Sequence, residues 1–230
     1  MFDLAGYGPQ ILAGTLTTMA LSLLTLVVAC GLGLIGAGAK LSGHPIAAGA
    51  ATLYTTLIRG VPDLVLLLLF FYSLQIWLNA LTDAVKLPQI NLDPFSSGVI
   101  TLGFIYGAYF TETLRGAVMA VPRGQMEAAH AFGMRPLQAF RRILFPQLMR
   151  HALPGLANNW QVILKATALV SIIGLSDIIK VTQDAGMATL RVFFFSVLAA
   201  VIYLVLTTAS NGVLVILEKR YAIGVRRAAL

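Results

Sequence analysis

The chain is built from long apolar runs separated by short polar connections. Each run holds roughly 20 or more mainly apolar residues, which is the length an α-helix needs to cross the hydrocarbon core of a bilayer. None has the alternating pattern of an outer-membrane barrel. The pattern therefore predicts an all-α membrane protein with five transmembrane helices. The runs lie at about residues 11–39, 61–81, 97–119, 155–176 and 191–217.

Composition agrees with a membrane protein, because 58% of the residues are hydrophobic and 11% are charged, against roughly 25% charged in a soluble domain. The first run is too long for the core of a signal peptide, so we expect it to be retained. Cys30, the single cysteine, lies in this run. It excludes an intrachain disulfide and is interpreted as a packing residue.

Positive charges divide unevenly between the two sides that the runs define. Lys and Arg accumulate in cytoplasmic loops, and one side has only Lys86, Lys180 and Arg191. This predicts a periplasmic amino terminus and a cytoplasmic carboxyl terminus, and it explains the net charge of +7 without nucleic acid. The residues of the richer side are Lys40, Arg59, Arg115, Arg123, Arg135, Arg141, Arg142, Arg150, Lys219, Arg220, Arg226 and Arg227.

Three glycines in the first run, Gly31, Gly33 and Gly36, have the spacing of a dinucleotide-binding fingerprint. That fingerprint follows a strand and opens a helix, whereas these glycines lie inside a continuous apolar run. Close helix packing is the better interpretation. The histidines are scattered, and no catalytic arrangement is visible. We therefore expect no metal, no catalytic residue and no cofactor in this chain.

Charged and polar residues within the runs are candidates for a substrate path. Glu112 forms an ion pair with Arg115 on the same helix face, or it meets a cationic substrate. Tyr106 lines a pore or packs. Asn158, Gln161 and Lys165 follow one face of the fourth run, which must face another helix or an aqueous passage. Asp63 is interpreted as an interfacial residue. The substrate-path candidates are Glu112, Tyr106, Asn158 and Gln161.

The polar stretch from Val121 to about Pro154 is large enough to hold structure of its own. Residues 125–132 are predicted to form a short helix, with Gly133 as a left-handed cap. Pro136 is predicted to start a second helix with an apolar stripe. The alternative is a solvated connector, although a connector needs only about 2 to 8 residues.

This stretch resembles the cytoplasmic motif of the permease subunits of bacterial ATP-binding cassette importers. Glu127, Ala128, Ala129 and Gly133 match it, as do Ile143 and Pro146, whereas Phe145 replaces a leucine. Three further segments, RGVPDLVLLLLFFYSLQ, GAYFTETLRGAVMAVPRGQMEAA and LPGLANNWQVILKATALVS, resemble the polar amino-acid permeases. About residues 10–225 are similar to permease subunits of histidine/lysine/arginine/ornithine importers.

The resemblance implies a single permease domain over residues 1–230, with a coupling loop at about 121–147. It implies a multi-pass protein of the bacterial inner membrane, surrounded by lipid. Its partners would be a cytoplasmic ATPase dimer that binds the ATP, a homologous second permease, and a periplasmic binding protein that delivers an amino acid. The residues expected to couple to the ATPase are Arg123, Gln125, Glu127, Ala128, Ala129 and Gly133.

Two other functions stay open at this stage. An autonomous secondary amino-acid transporter usually has two matching halves with interrupted helices, and five runs without a visible repeat do not divide in that way. A membrane-bound enzyme would need a catalytic constellation. The resemblance favours basic amino acids and histidine as substrates, although glutamine and opine importers have related permeases.

Overall fold

The computed structural model describes residues 4, 6–86, 88–89 and 91–221, and within them it contains helices and no strand. The predicted all-α class is therefore confirmed for this part of the chain. Arg226 and Arg227, which contribute to the predicted orientation, lie outside the described residues. In chain order the elements are α1 (Gly8–Leu41), α2 (Pro45–Gly60), α3 (Asp63–Ala84), α4 (Pro94–Met119), α5 (Arg123–Ala131), α6 (Pro136–Ala139), a π-helical turn (Phe140–Leu144), α7 (Phe145–Ala166), a 3₁₀ segment (Thr167–Ile173), α8 (Ile178–Ala188) and α9 (Val192–Tyr221).

Four helical segments among the described residues are long and apolar enough to cross a membrane. They correspond to four of the five predicted runs. The remaining run coincides with α4, which has 26 residues but is less apolar. The four segments are Gly8–Leu41, Asp63–Ala84, Pro136–Ile173 and Val192–Tyr221.

Two helices were not predicted, and the predicted start of the fourth span was wrong. Both α2 and α8 lie in stretches that the hydrophobic pattern assigned to connections or run ends. The fourth run was expected to begin after Pro154, but Pro154 lies inside α7. The apolar stripe that begins at Leu137 continues through this proline, so one helical path extends from the polar stretch into the run.

The centre of the fold is α4, whose large side chains Leu102, Ile105, Tyr106 and Phe110 are almost completely buried. Its start is set by Asp93, whose carboxylate accepts the backbone N–H groups of Phe95 and Ser96 at 3.0 Å. Hydrogen bonds from the side chain and backbone of Ser96 hold the pKa of the Asp93 carboxyl below its usual range. Because the large side chains of α4 are enclosed by other helices, α4 can be less apolar than a helix that faces lipid.

Glycines bring α1 and α4 into backbone contact. A Cβ atom at Gly33 would lie 2.5 Å from the Cβ of Phe110, and one at Gly36 would overlap Thr111. From the other side, a Cβ at Gly103 would meet Val28. The packing interpretation is thus confirmed for Gly33 and Gly36. Gly31 has open space around its Cβ position and does not take part.

The same device joins α8 to α1. A Cβ atom at Gly14 would lie 2.9 Å from the carbonyl oxygen of Asp177, and the Ile178 N–H donates to Thr18 Oγ1 at 3.3 Å. Asp177 is fully buried and caps α8 by accepting the Lys180 N–H at 2.8 Å. The turn before α8 is therefore fixed against the first helix.

The α1–α4 contact predicts different effects for two neighbouring glycines. Gly33→Ala forces the helices apart or displaces Phe110, and we expect it to destabilise the protein by about 1–3 kcal/mol. Gly31→Ala is the matched control. It meets nothing and removes backbone freedom, so stability stays unchanged or rises by about 0.5–1 kcal/mol. Thermal unfolding in detergent measures both, and equal stability of the two variants would contradict the packing assignment.

Candidate functional site

Glu127, Ala128 and Ala129 of the family-like motif lie on α5, a nine-residue helix that follows α4, and Gly133 lies just after its end. Arg123, Gln125, Glu127 and Ala128 are exposed, whereas Ala129 is 3% exposed. The short helix and the cap at Gly133 were predicted correctly, with the helix starting two residues earlier than expected. The buried alanine lets α5 lie close to the next segment, and the polar residues point outward.

The end of α5 has a regular termination. Gly133 has a φ of +70°, its N–H donates to the His130 carbonyl at 2.9 Å, and the Met134 N–H donates to the Ala129 carbonyl at 3.0 Å. This pattern is a Schellman motif. Phe132, beside the cap, is 85% exposed, and a large apolar side chain left in the open is typical of a contact surface. Sequence analysis missed Phe132 as a candidate.

α5 is also tied to the helix that follows it. Gln147 Nε2 donates to Gln125 Oε1 at 3.3 Å, which connects α5 to α7. Pro136 begins α6 as predicted, and Arg135 N–H donates to Gln138 Oε1 at 3.1 Å. α5 is therefore attached to α7 by a side-chain hydrogen bond and to α4 by a short connection.

A charged network lies deeper between α1, α2 and α4, around Glu112. One carboxylate oxygen of Glu112 accepts a bond from Lys40, and the other accepts from Arg115 Nε at 3.1 Å. Lys40 Nζ also donates to Thr55 Oγ1 at 2.7 Å. The predicted Glu112–Arg115 ion pair is confirmed, and Lys40 is a second partner that sequence spacing did not reveal.

Tyr106 precedes Glu112 on α4, and its hydroxyl donates to Asp63 Oδ2 at 2.7 Å. Its ring lies 5.6 Å from that of Tyr109, and the Arg59 guanidinium lies 5.3 Å from the Tyr109 ring centroid. Asp63, at the start of α3, therefore contacts the central helix. The sequence feature that could have indicated this contact is the pair of charges, Arg59 and Asp63, on the two sides of residues 60–62.

The four substrate-path candidates do not form one cluster. Gln161 donates to the Thr207 carbonyl at 3.2 Å, so it faces α9, whereas Glu112 faces α1 and α2. Asn158 is exposed, and its neighbour Asn159 is buried and donates to Thr113 Oγ1 at 3.1 Å. Glu112 borders a cavity of about 560 Å³. Its lining consists of Lys40, Thr52, Thr55, Thr56, Arg59, Gly60, Tyr109 and Glu112.

Comparison with known proteins gives close relatives over almost the whole chain. The chain is 60% identical to the histidine/lysine/arginine/ornithine transport system permease protein HisQ of Salmonella typhimurium, over 99% of this chain and 100% of that protein. It is 36% identical to the arginine ABC transporter permease protein ArtQ of Escherichia coli, over 86% and 88%.

Solved structures agree in fold. A chain from the crystal structure of an amino acid ABC transporter with histidines matches with a TM-score of 0.79 and 32% identity, over 96% of this chain and 99% of that one. The family of binding-protein-dependent transport system inner membrane components matches residues 29–223. The resemblance found in the sequence is thereby confirmed, and the chain belongs to this family of transport permeases.

Proposed function

We propose that this chain is the permease subunit of an ATP-driven amino-acid importer, with basic amino acids and histidine as its substrates. The observation that carries the proposal is α5, a helix after the end of the central α4 that exposes Arg123, Gln125, Glu127 and Ala128. An exposed, capped helix of this kind suits docking to a partner. The relatives named for histidine, lysine, arginine and ornithine transport support the substrate class.

In the proposed topology α4 also crosses the membrane. It is the third of five spans in chain order and is enclosed by the lipid-facing helices. The amino terminus is periplasmic and the carboxyl terminus cytoplasmic, because the basic residues of α5 and α7 then lie in the cytoplasm. Residues 1–230 form one permease domain, located in the bacterial inner membrane. α5 is its coupling helix, within a coupling loop at about 121–147.

The proposed complex contains a second, homologous permease, a cytoplasmic ATPase dimer and a periplasmic binding protein. ATP hydrolysis takes place in the ATPase, and this chain has no catalytic role. α5 inserts into the ATPase, with Glu127 offering a charge and Phe132 an apolar anchor. The polar and apolar exposed residues of α5 are consistent with such an interface.

Transport proceeds by alternating access between two packings of the helices. ATP binding closes the ATPase dimer and displaces α5. Because α5 is bonded to α7 and follows α4 closely in the chain, its displacement moves these helices and opens the periplasmic side. Hydrolysis resets the complex. A nearly complete shift needs about 5.5 kcal/mol of differential binding, which ATP and a docked binding protein together supply.

A charge reversal on α5 tests the proposed coupling. Glu127→Lys reverses an exposed charge on α5, so we expect normal insertion into the membrane and a loss of ATP-driven uptake of at least tenfold. Asp83→Lys makes the same charge change on an exposed residue at the far end of α3 and serves as the matched control. Uptake and copurification of the ATPase in proteoliposomes measure the effect. Persistence of both in Glu127→Lys would remove α5 from the coupling role.

A second prediction tests the subunit composition. Labelled arginine, lysine and histidine should enter proteoliposomes only when this chain, the second permease, the ATPase, the binding protein and ATP are all present. Glutamine is the comparison substrate. Uptake by this chain alone without ATP would establish the secondary-transporter alternative instead.

The path through this permease is proposed to include Glu112, Tyr106, Asn158 and Gln161. Combined alanine substitution at the four positions should lower uptake strongly, because it opens the Glu112 network and removes the bond from Tyr106 to Asp63. The measurement is the uptake rate at equal amounts of assembled complex. A rate equal to that of the unmodified importer would exclude these residues from the path.

A further inference from the structure

A break interrupts the helical path between α2 and α3. Val61 has extended angles, φ −114° and ψ 140°, and Pro62 follows with φ −57° and ψ 136°. The proline ring disfavours a helical conformation at Val61 and removes one backbone N–H. Non-helical backbone is tolerated at membrane depth where it is buried in protein or lines a cavity, and interrupted helices often mark binding sites in transporters.

The break lies beside the middle of α4, on an exposed face of the chain: Arg59, Val61 and Pro62 are exposed, and Asp63 is half-buried. Asp63, the first residue of α3, accepts the hydroxyl of Tyr106, and Tyr106 lies 13 residues before Met119, where α4 ends. At 1.5 Å per residue, this places the contact about 20 Å from that end of α4. The hydrocarbon core is about 30 Å thick. The charges that flank the break therefore lie at intramembrane depth.

Arg59 and Asp63 are opposite charges on the two sides of this break. Arg59 lies 5.3 Å from the Tyr109 ring centroid, and Asp63 accepts the hydroxyl of Tyr106, whose ring lies 5.6 Å from that of Tyr109. Among the residues that the structure describes, neither forms an ion pair. A charge within a membrane is costly and tends to mark a functional site.

Arg59 and Tyr109 line a cavity whose size suits a small molecule, and Asp63 lies outside that lining, beside Tyr106. Its volume of about 560 Å³ lies in the range of ligand sites. Lys40 and Glu112, which also line it, are already paired with each other, and Arg115 takes the second oxygen of Glu112. Arg59 is thus the lining cation that remains available to an anion, as far as the described residues show.

We propose that Arg59 binds the α-carboxylate of the transported amino acid and that Asp63 binds its α-ammonium, beside the ring of Tyr109. This inference rests on the proposed function and deepens it. The planar guanidinium matches a carboxylate in a two-bond arrangement. A zwitterion carries one charge of each sign close together, so a single ligand neutralises both residues. The site reads the groups common to all α-amino acids and leaves the side chain to be recognised elsewhere.

The test is direct binding of labelled L-arginine and L-histidine to the assembled permease–ATPase complex in nanodiscs, without the binding protein. At pH 8 the histidine side chain is neutral, so the two ligands share the α groups and differ in side-chain charge. Arg59→Gln and Asp63→Asn should each lower the affinity for both ligands by at least tenfold and by similar factors. Arg59→Lys should lower the affinity less than Arg59→Gln does.

The matched controls are Lys180→Gln and Asp184→Asn, which remove the same charges from an exposed ion pair on α8 and should leave binding within twofold. A competition arm needs no substitution. Agmatine, which is arginine without its carboxylate, should compete at least tenfold more weakly than arginine. Copurification of the ATPase checks that each variant assembles.

Unchanged binding in both variants, equal competition by agmatine, or an Asp63→Asn loss limited to arginine would each overturn the site. The last would assign Asp63 to the cationic side chain. ATP-dependent uptake by the unmodified importer is measured in parallel, because its absence would refute the proposed function. Normal uptake with unchanged binding in the variants would refute only this site. A lipid phosphate at Arg59 would appear as competition by anionic lipid and not by the amino acid, and it would also overturn the assignment.

Discussion

The arrangement of the other helices depends on the backbone contact between α1 and α4. Apolar burial contributes little to helix association in lipid, so close packing has to hold spanning helices together. Gly33 and Gly36 on α1 face Phe110 and Thr111, and Gly103 on α4 faces Val28. Because these surfaces interlock from both sides, α4 lies close to α1 over much of its length. α2, α3 and α7 also pack against α4, so that most of its large side chains are buried.

Enclosure of α4 makes its charged residues possible. Glu112 lies 20% exposed between Lys40 and Arg115, and such a carboxylate would be unfavourable on a lipid-facing helix. Each Glu112 oxygen has a cationic partner, so the network holds α1, α2 and α4 together at this level. The Arg59 and Asp63 charges differ, because no ion pair in the described part of the chain includes them. The same helix therefore borders one cluster whose charges are paired with each other and a second, Arg59 and Asp63, that we propose binds the substrate.

The sequence predicted the elements whose causes are local. Long apolar runs predicted α1, α3, α4 and α9, while Gly133 and Pro136 predicted the boundaries around α5. Helix α2 was missed because its small and polar residues show no continuous apolar run. The partner Lys40 of Glu112 is 72 residues away, and no spacing rule reaches that far. The contact of Asp63 with Tyr106 was not predicted for a related reason: it depends on how α3 packs against α4.

The contacts around α5 favour transmission by rigid segments over a local change. α5 begins soon after α4 ends, and the Gln125–Gln147 bond links it to α7. Helices α4 and α7 are themselves locked together, since a Cβ at Gly155 would lie 2.6 Å from Thr113 and Asn159 donates to the same threonine at 3.1 Å. Tightly packed interfaces of this kind move as units or switch between discrete packings. These contacts support the proposed coupling role of α5, because a force on it would reach the packed α4 and α7 helices without requiring flexibility in the connecting loop.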